Sequence, residues 1–441
     1  IFWVRFFPAA FGALTIVCVW NIVKKLQGQL YAALLAAMAV CFSSLVRLNT
    51  LFQPNSFEIL CWTFIFYSLV SYIASGKNKW LYYSSIAIAI GFLNKYNIIF
   101  PIAGLLVGLW ITPQRKIFYN KHFYFAMLIA LLIILPNLVW QIQNGFPVSK
   151  HMKELAETQL VNNERVNFIK EQILFFAGSI FLVLISFSGF IFYKPFSQYR
   201  FLCFGFLLTI VLYVYLRAKG YYAIGLYPML IAFGAVYFEK LCSHGWKRYM
   251  RGIAVAIILL MFIPFVRIAM PVNSPSTIKQ KNRVMKKMGL LRWEDGKEHD
   301  LPQDFADMLG WKELAFKTDS IYQTLRDTKH TLVLTDNYGQ AGAINFYAPH
   351  IKNAVSFNAD YATWFPALES LSAIILVKEK DEEIVTSEER KHFASVSTIG
   401  IITNNFAREY GTSINLLEGP DSTILPFLKR KAIYEKKKYM R

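Results

Sequence analysis

Four short segments carry polar side chains in patterns that could do chemistry. In Leu51–Glu58 (LFQPNSFE), Asn55 and Glu58 are three residues apart, so they share a face if Pro54 opens a helix. An amide and a carboxylate so placed could orient substrate hydroxyls or hold a metal. They would serve equally as the capped, acidic first turn of a helix. In Leu93–Asn97 (LNKYN), Lys95 and Tyr96 place an ammonium beside a phenol, which suits a phosphate; a lysine anchored at a membrane surface would look the same. In Leu216–Pro228 (LRAKGYYAIGLYP), Arg217 and Lys219 are followed by Tyr221, Tyr222 and Tyr227, and Gly220 permits a close turn. Two cations bracketed by phenols describe a phosphate or diphosphate clamp. An aromatic membrane belt would account for the tyrosines but poorly for the cations. In Gln141–Leu160, His151 and Glu154 could be two ligands of a divalent metal or an acid–base pair. The polar face of a solvated amphipathic helix explains them too.

What positions these groups follows from composition. Of the 441 residues only 17% are charged, against about a quarter in soluble proteins. The deficit lies in residues 1–270, and from Pro271 onward the composition is that of a soluble domain. A span needs about 20 apolar residues as helix. About ten runs qualify as candidates: 6–23, 30–46, 57–74, 80–93, 98–112, 123–140, 169–192, 201–216, 221–238 and 253–268. The expected fold is therefore a polytopic α-helical membrane bundle over residues 1–270, followed by a soluble α/β domain over 271–441.

Charge sets the expected orientation. Alternate loops hold Lys24 and Lys25, Lys77 and Lys79, Arg115, Lys116 and Lys121, Lys194 and Arg200, then Lys240, Lys247, Arg248 and Arg251, with almost no acids. The positive-inside rule makes these loops cytoplasmic, which places Ile1 and everything after Pro271 outside the cytoplasm. At least one further span and an outer loop are then expected before Ile1. The same rule explains the formal charge of +19 without nucleic acid, since no basic stripe interleaved with aromatics lies on one element. The five cysteines sit in or beside apolar runs and read as packing residues.

In the C-terminal part, Thr331–Thr335 (TLVLT) and Ala373–Val377 (AIILV) read as buried strands. Weaker strands are expected at Ala354–Phe357 and Ser395–Ile399, and a helix at Asp304–Arg326. Strands alternating with helices imply a small, largely parallel sheet. Asp336–Gly342 (DNYGQAG) reads as a strand-to-helix turn, since it lacks the full dinucleotide pattern.

Five segments in order, RLNTLFQPNSFE, GFLNKYN, LPNLVWQIQNGFPVSKHM, LRAKGYYAIGLYPML and LVLTDNYGQAGAINFY, resemble bacterial glycosyltransferase family 39. That family includes relatives of protein mannosyltransferases and aminoarabinose transferases and has the GT-C fold. The resemblance implies a multi-pass enzyme of the bacterial cytoplasmic (inner) membrane with an extracytoplasmic C-terminal domain. It implies a polyprenyl-phosphate-linked sugar as donor, a lipid, glycan or protein as acceptor, and inversion with a carboxylate as general base. Carried over to this chain, Lys95, Tyr96, Arg217, Lys219, Tyr221 and Tyr222 would serve the lipid phosphate. Asn55 and Glu58 would face the sugar pocket, and His151 with Glu154 would lie in the loop covering it. The acidic pair of that family belongs to the first outer loop, expected here upstream of Ile1. The competing classes are a transporter or lipid flippase, which predicts ionisable groups near the bilayer midplane, and a non-catalytic membrane scaffold.

Overall fold

The computed structural model describes residues 2–158 and 160–440. Two compact units divide the chain, one of residues 1–140 and 156–272, the other of 141–155 and 273–441.

The first unit is helical. All ten apolar runs form helix, but not ten full spans. Among the described residues, six helices are long and apolar enough to cross a membrane, and eight if each of two bent pairs counts as one. Leu30–Cys41 has 12 residues and Lys79–Asn94 has 16, each short of the roughly 20 that a bilayer core requires. The run 169–192, read as one continuous helix, is instead Arg165–Phe175 and Ile180–Phe192, bent by 99°. Apolar periodicity cannot report a bend when both halves are apolar.

Tyr227–Leu241 is the centre of the bundle. It is buried at nearly every position from Tyr227 to Val236, as expected of a helix apolar on all sides. Tyr227 itself stacks on Phe176 at 4.5 Å between ring centroids, so it belongs to the core and not to a surface aromatic belt. By contrast, Lys121–Gln143 and Gly245–Ala269 pack little of their surface against protein, which suits helices facing lipid. Where helices touch closely, small residues make it possible. Gly104 and Gly108, on Ile99–Trp110, face Gly205 and Phe201 on Arg200–Tyr215. A Cβ at Gly104 would stand 2.6 Å from the Gly205 carbonyl oxygen, and one at Gly108 would collide with that of Phe201.

A buried carboxylate holds the start of Leu30–Cys41. Glu239 accepts hydrogen bonds from the backbone N–H of Gln29 (2.8 Å) and Ala32 (3.1 Å). These are among the N–H groups that the first helical turn leaves without partners. Arg251 donates to the Glu239 carbonyl oxygen (3.1 Å) and its guanidinium lies 4.9 Å from the Tyr31 ring centre. Glu239→Ala strands one buried and one part-buried donor and is expected to cost about 1–3 kcal/mol; Glu239→Gln, which keeps one acceptor, should cost less. Thermal denaturation in detergent should rank wild type above the glutamine and the glutamine above the alanine. An alanine variant as stable as wild type would discard this capping role.

Among the described residues the second unit holds five strands: β1 (Thr331–Thr335), β2 (Val355–Ser356), β3 (Ala373–Lys378), β4 (Phe393–Ile401) and β5 (Ser413–Pro420). Their order is β2-β1-β3-β5-β4. β1 pairs parallel with β2 and β3, while β5 runs antiparallel to both β3 and β4. The sheet is thus mixed where a largely parallel one was expected, because β5 was not read as a strand. The helix predicted over 304–326 is Trp311–Thr324, preceded by a short turn at Gln303–Ala306. Asp336–Gly342 leads from β1 into the helix Tyr338–Tyr347, whose N-cap Asn337 accepts from the Gln340 N–H at 2.9 Å.

Candidate functional site

In the first unit, three stretches far apart in sequence meet at helix ends. Pro54–Ser75 begins with Pro54 at its first position, and its N-cap Gln53 makes no side-chain cap bond. No acid stands in its first turn, so Asn55 and Glu58 are not the capping pair that the sequence allowed. Both turn instead to one ammonium. Lys95 Nζ lies 2.9 Å from Asn55 Oδ1 and 2.9 Å from Glu58 Oε2. Lys95 ends the helix Lys79–Asn94 in extended backbone (φ −161°), and the preceding Asn94 donates to the Pro54 carbonyl at 3.0 Å. Two successive residues therefore tie the two helix ends together.

The third stretch supplies a wall. The 3₁₀ turn Gly220–Leu226 brings Tyr221 and Tyr222 under Lys95, whose Nζ is 5.3 Å and 4.6 Å from their ring centres. The rings stand edge to face, 4.9 Å apart at 89°. An ammonium above a tyrosine face is held by the ring's negative potential, worth about 1–2 kcal/mol once partly desolvated. Gly220 is tightly packed: Gln172 donates to its carbonyl at 3.0 Å, and a Cβ there would displace the Glu171 carboxylate.

Glu58 is only 4% exposed, and both oxygens are engaged. Oε2 takes Lys95, and Oε1 accepts from Asn97 Nδ2 at 2.8 Å. Asn97 also donates to the Tyr222 carbonyl (3.2 Å) and accepts from the Tyr213 hydroxyl (2.8 Å). Buried polar groups are tolerated when they are satisfied like this. A lysine has three N–H donors, and two of Lys95's point at Asn55 and Glu58. The arrangement can therefore offer a further hydrogen bond from an ammonium whose charge Glu58 balances in part to an anion that approaches along the tyrosines.

The remaining candidates are dispersed. The Tyr96 hydroxyl donates to Asn137 Oδ1 on Lys121–Gln143 at 3.0 Å, a different partner from the Lys95 group. Arg217 is exposed, in left-handed backbone (φ +52°). Its guanidinium holds the Val161 carbonyl (3.0 Å), and its own carbonyl accepts from Asn163 (3.0 Å). Lys219, half-buried, stands immediately before the turn that carries the two tyrosines. His151 and Glu154 are both exposed on the helix Pro147–Thr158. Among the described residues no group of three or more His, Cys, Asp or Glu is placed to hold a metal ion, so the expected metal pair finds no third ligand. Asn97 and Tyr213 were missed: Asn97 lies inside the quoted LNKYN, whereas Tyr213 sits in an apolar run that gives no polar signal.

Residues 1–140 match the family model of the dolichyl-phosphate-mannose-protein mannosyltransferases. No curated protein matches the chain in sequence. Among solved structures, ArnT from Cupriavidus metallidurans bound to undecaprenyl phosphate is similar, with a TM-score of 0.59 at 12% identity over 95% of this chain and 85% of that one. The same protein in the apo state gives 0.59 at 14% identity, over 95% and 84%. The chain has a GT-C fold. It is a multi-pass membrane protein of that architecture, with a small sheet domain at its C-terminal end.

Proposed function

We propose that this GT-C protein transfers a sugar from a polyprenyl-phosphate carrier to an acceptor on the far side of the cytoplasmic membrane. The observation that carries the proposal is the Lys95 ammonium at the meeting of three helix ends, braced by Asn55 and Glu58 and walled by Tyr221 and Tyr222. A phosphate monoester leaving a sugar carbon gains negative charge, and a cation fixed beforehand lowers the barrier without reorganising at the moment of reaction. Tyr221 and Tyr222 bring phenols to the same place, and Arg217 and Lys219 add positive charge on the turn before them. Glu58 acts as a positioning residue that fixes Lys95, because both of its oxygens are occupied. The step itself is inversion: the acceptor hydroxyl gives its proton to a carboxylate and attacks the anomeric carbon opposite the departing phosphate. The membrane is the bacterial inner membrane in this reading, and the positive loops support an extracytoplasmic C-terminal domain.

The family match over residues 1–140 and the undecaprenyl phosphate bound by the ArnT neighbour support the lipid-phosphate donor. The direct test compares a polyprenyl phosphate with the corresponding polyprenol on the purified protein. A ligand that binds the folded state raises its melting temperature by mass action. The phosphate should stabilise the protein and the alcohol should not; equal shifts would mean that the lipid tail alone is recognised and would end the phosphate assignment.

A further inference from the structure

A second site lies in the C-terminal unit, independent of the membrane bundle and its proposed reaction. β1 leads through the helix Tyr338–Tyr347 to β2 on one side, while β3 lies on its other side. The chain therefore changes direction between β1 and β3, and in open α/β sheets ligands bind beyond the carboxyl ends of strands at such a switch point. A cavity of about 530 Å³ opens at those strand ends and runs back along the sheet face beneath the helix Ile424–Met440, within the range of small-molecule sites.

The alternation of side chains along a strand explains its lining. Leu334 and Leu376 face the cavity, so the residues two further on, Asp336 and Lys378, emerge at its rim on the same face. Asp336 meets Lys378 at 2.9 Å and accepts from the Glu379 N–H at 2.7 Å. Burial raises the Asp336 carboxyl above its ordinary pKa even with Lys378 beside it, the mark of a group partly stripped of water. Asn358, just beyond β2, closes one side, and Phe357 and Phe393 extend the apolar wall.

The charge of the lining narrows the ligand. Five carboxylates, Asp336 and Glu383 among them, face only two ammonium groups, Lys378 and Lys431, in a chain whose formal charge is +19. An anionic ligand is disfavoured there, and a hydrocarbon would leave the polar rim unmatched. A pyranose fits both surfaces: its C–H face covers the leucine and phenylalanine wall, and its vicinal hydroxyls donate to carboxylates, an efficient charge-assisted pairing. We propose that the switch-point crevice of the C-terminal unit binds a non-acidic saccharide.

Saturation-transfer NMR on the full chain in lipid nanodiscs tests this with a neutral hexose, an N-acetylhexosamine and a hexuronic acid. Saturation should reach the two neutral sugars and hardly the uronic acid, and excess polyprenyl phosphate should leave the signal unchanged. Asp336→Asn should weaken the signal about tenfold, as loss of a hydrogen bond to a charged group does. Asn358→Trp, which fills the crevice without touching the ion pair, should abolish it and guards against misfolding of the first variant. Stronger saturation of the uronic acid, displacement by polyprenyl phosphate, indifference to Asn358→Trp, or no saturation of any sugar would overturn the proposal.

Discussion

Lys95→Met should abolish the stabilisation of this protein by a polyprenyl phosphate and lower sugar transfer by two to three orders of magnitude. Two separate effects meet in that variant. Removing a preorganised cation from a site of developing charge costs about 10²–10³ in rate. Removing one partner of a buried ion pair leaves the other charge uncompensated, and Glu58, 4% exposed, then has only Asn97. That second effect costs about 3–5 kcal/mol of stability and would itself depress activity. The double variant Lys95→Met, Glu58→Gln separates the two, because a neutral amide in place of the carboxylate needs no counter-charge. It should regain most of the lost stability and none of the response to polyprenyl phosphate. A Lys95→Met protein that still melts later in the presence of the phosphate would show that the anion is held elsewhere, with Arg217 and Lys219 as the next cations to examine.

The second large effect is expected where main chain packs on main chain. At Gly108 the helix Ile99–Trp110 runs against the backbone of Arg200–Tyr215, and a new Cβ would overlap the Phe201 carbonyl oxygen. Gly104, one turn earlier, is equally close to Gly205. Backbones cannot move aside as side-chain ends do, so Gly108→Leu must push two helices apart along a whole face. Overpacking of a well-packed core costs about 1–3 kcal/mol, and here the strain falls on main chain, so the upper end or more is expected. Size-exclusion and thermal unfolding in detergent should show loss of most folded protein, while Gly252→Leu, at a glycine with open space around it, serves as the control. Equal behaviour of the two variants would remove the close-contact account.

The sequence showed the membrane bundle and four of the five described strands through composition and periodicity, because each is written locally. It also showed Asn55 and Glu58, Lys95, and Tyr221 with Tyr222 as separate clusters of costly polarity. That these clusters form one group was not legible: Lys95 meets Glu58 across 37 positions, and Asn97 meets Tyr222 across 125. Nothing local encodes such distances. Tyr213 was hidden because a phenol in an apolar run reads as one more hydrophobe. Arg217 and Lys219 stood out as cations on the wrong side of the charge pattern, yet the Arg217 guanidinium holds the Val161 carbonyl and fastens a loop. β5 was overlooked because Asn415 interrupts its apolar pattern; in the sheet that amide is buried and donates to the Leu376 carbonyl at 3.1 Å.

The strand order of the C-terminal sheet bears on how the protein is made. β5 leaves the ribosome after the other four described strands, yet it sits between β3 and β4, and β4 pairs with β5 alone. Until residue 420 has emerged, β3 keeps an open flank and β4 has nothing to dock on. A chain cut short between Lys378 and Ser413 would therefore carry its membrane helices intact while displaying a bare hydrophobic strand edge, the feature that recruits other chains into aggregates.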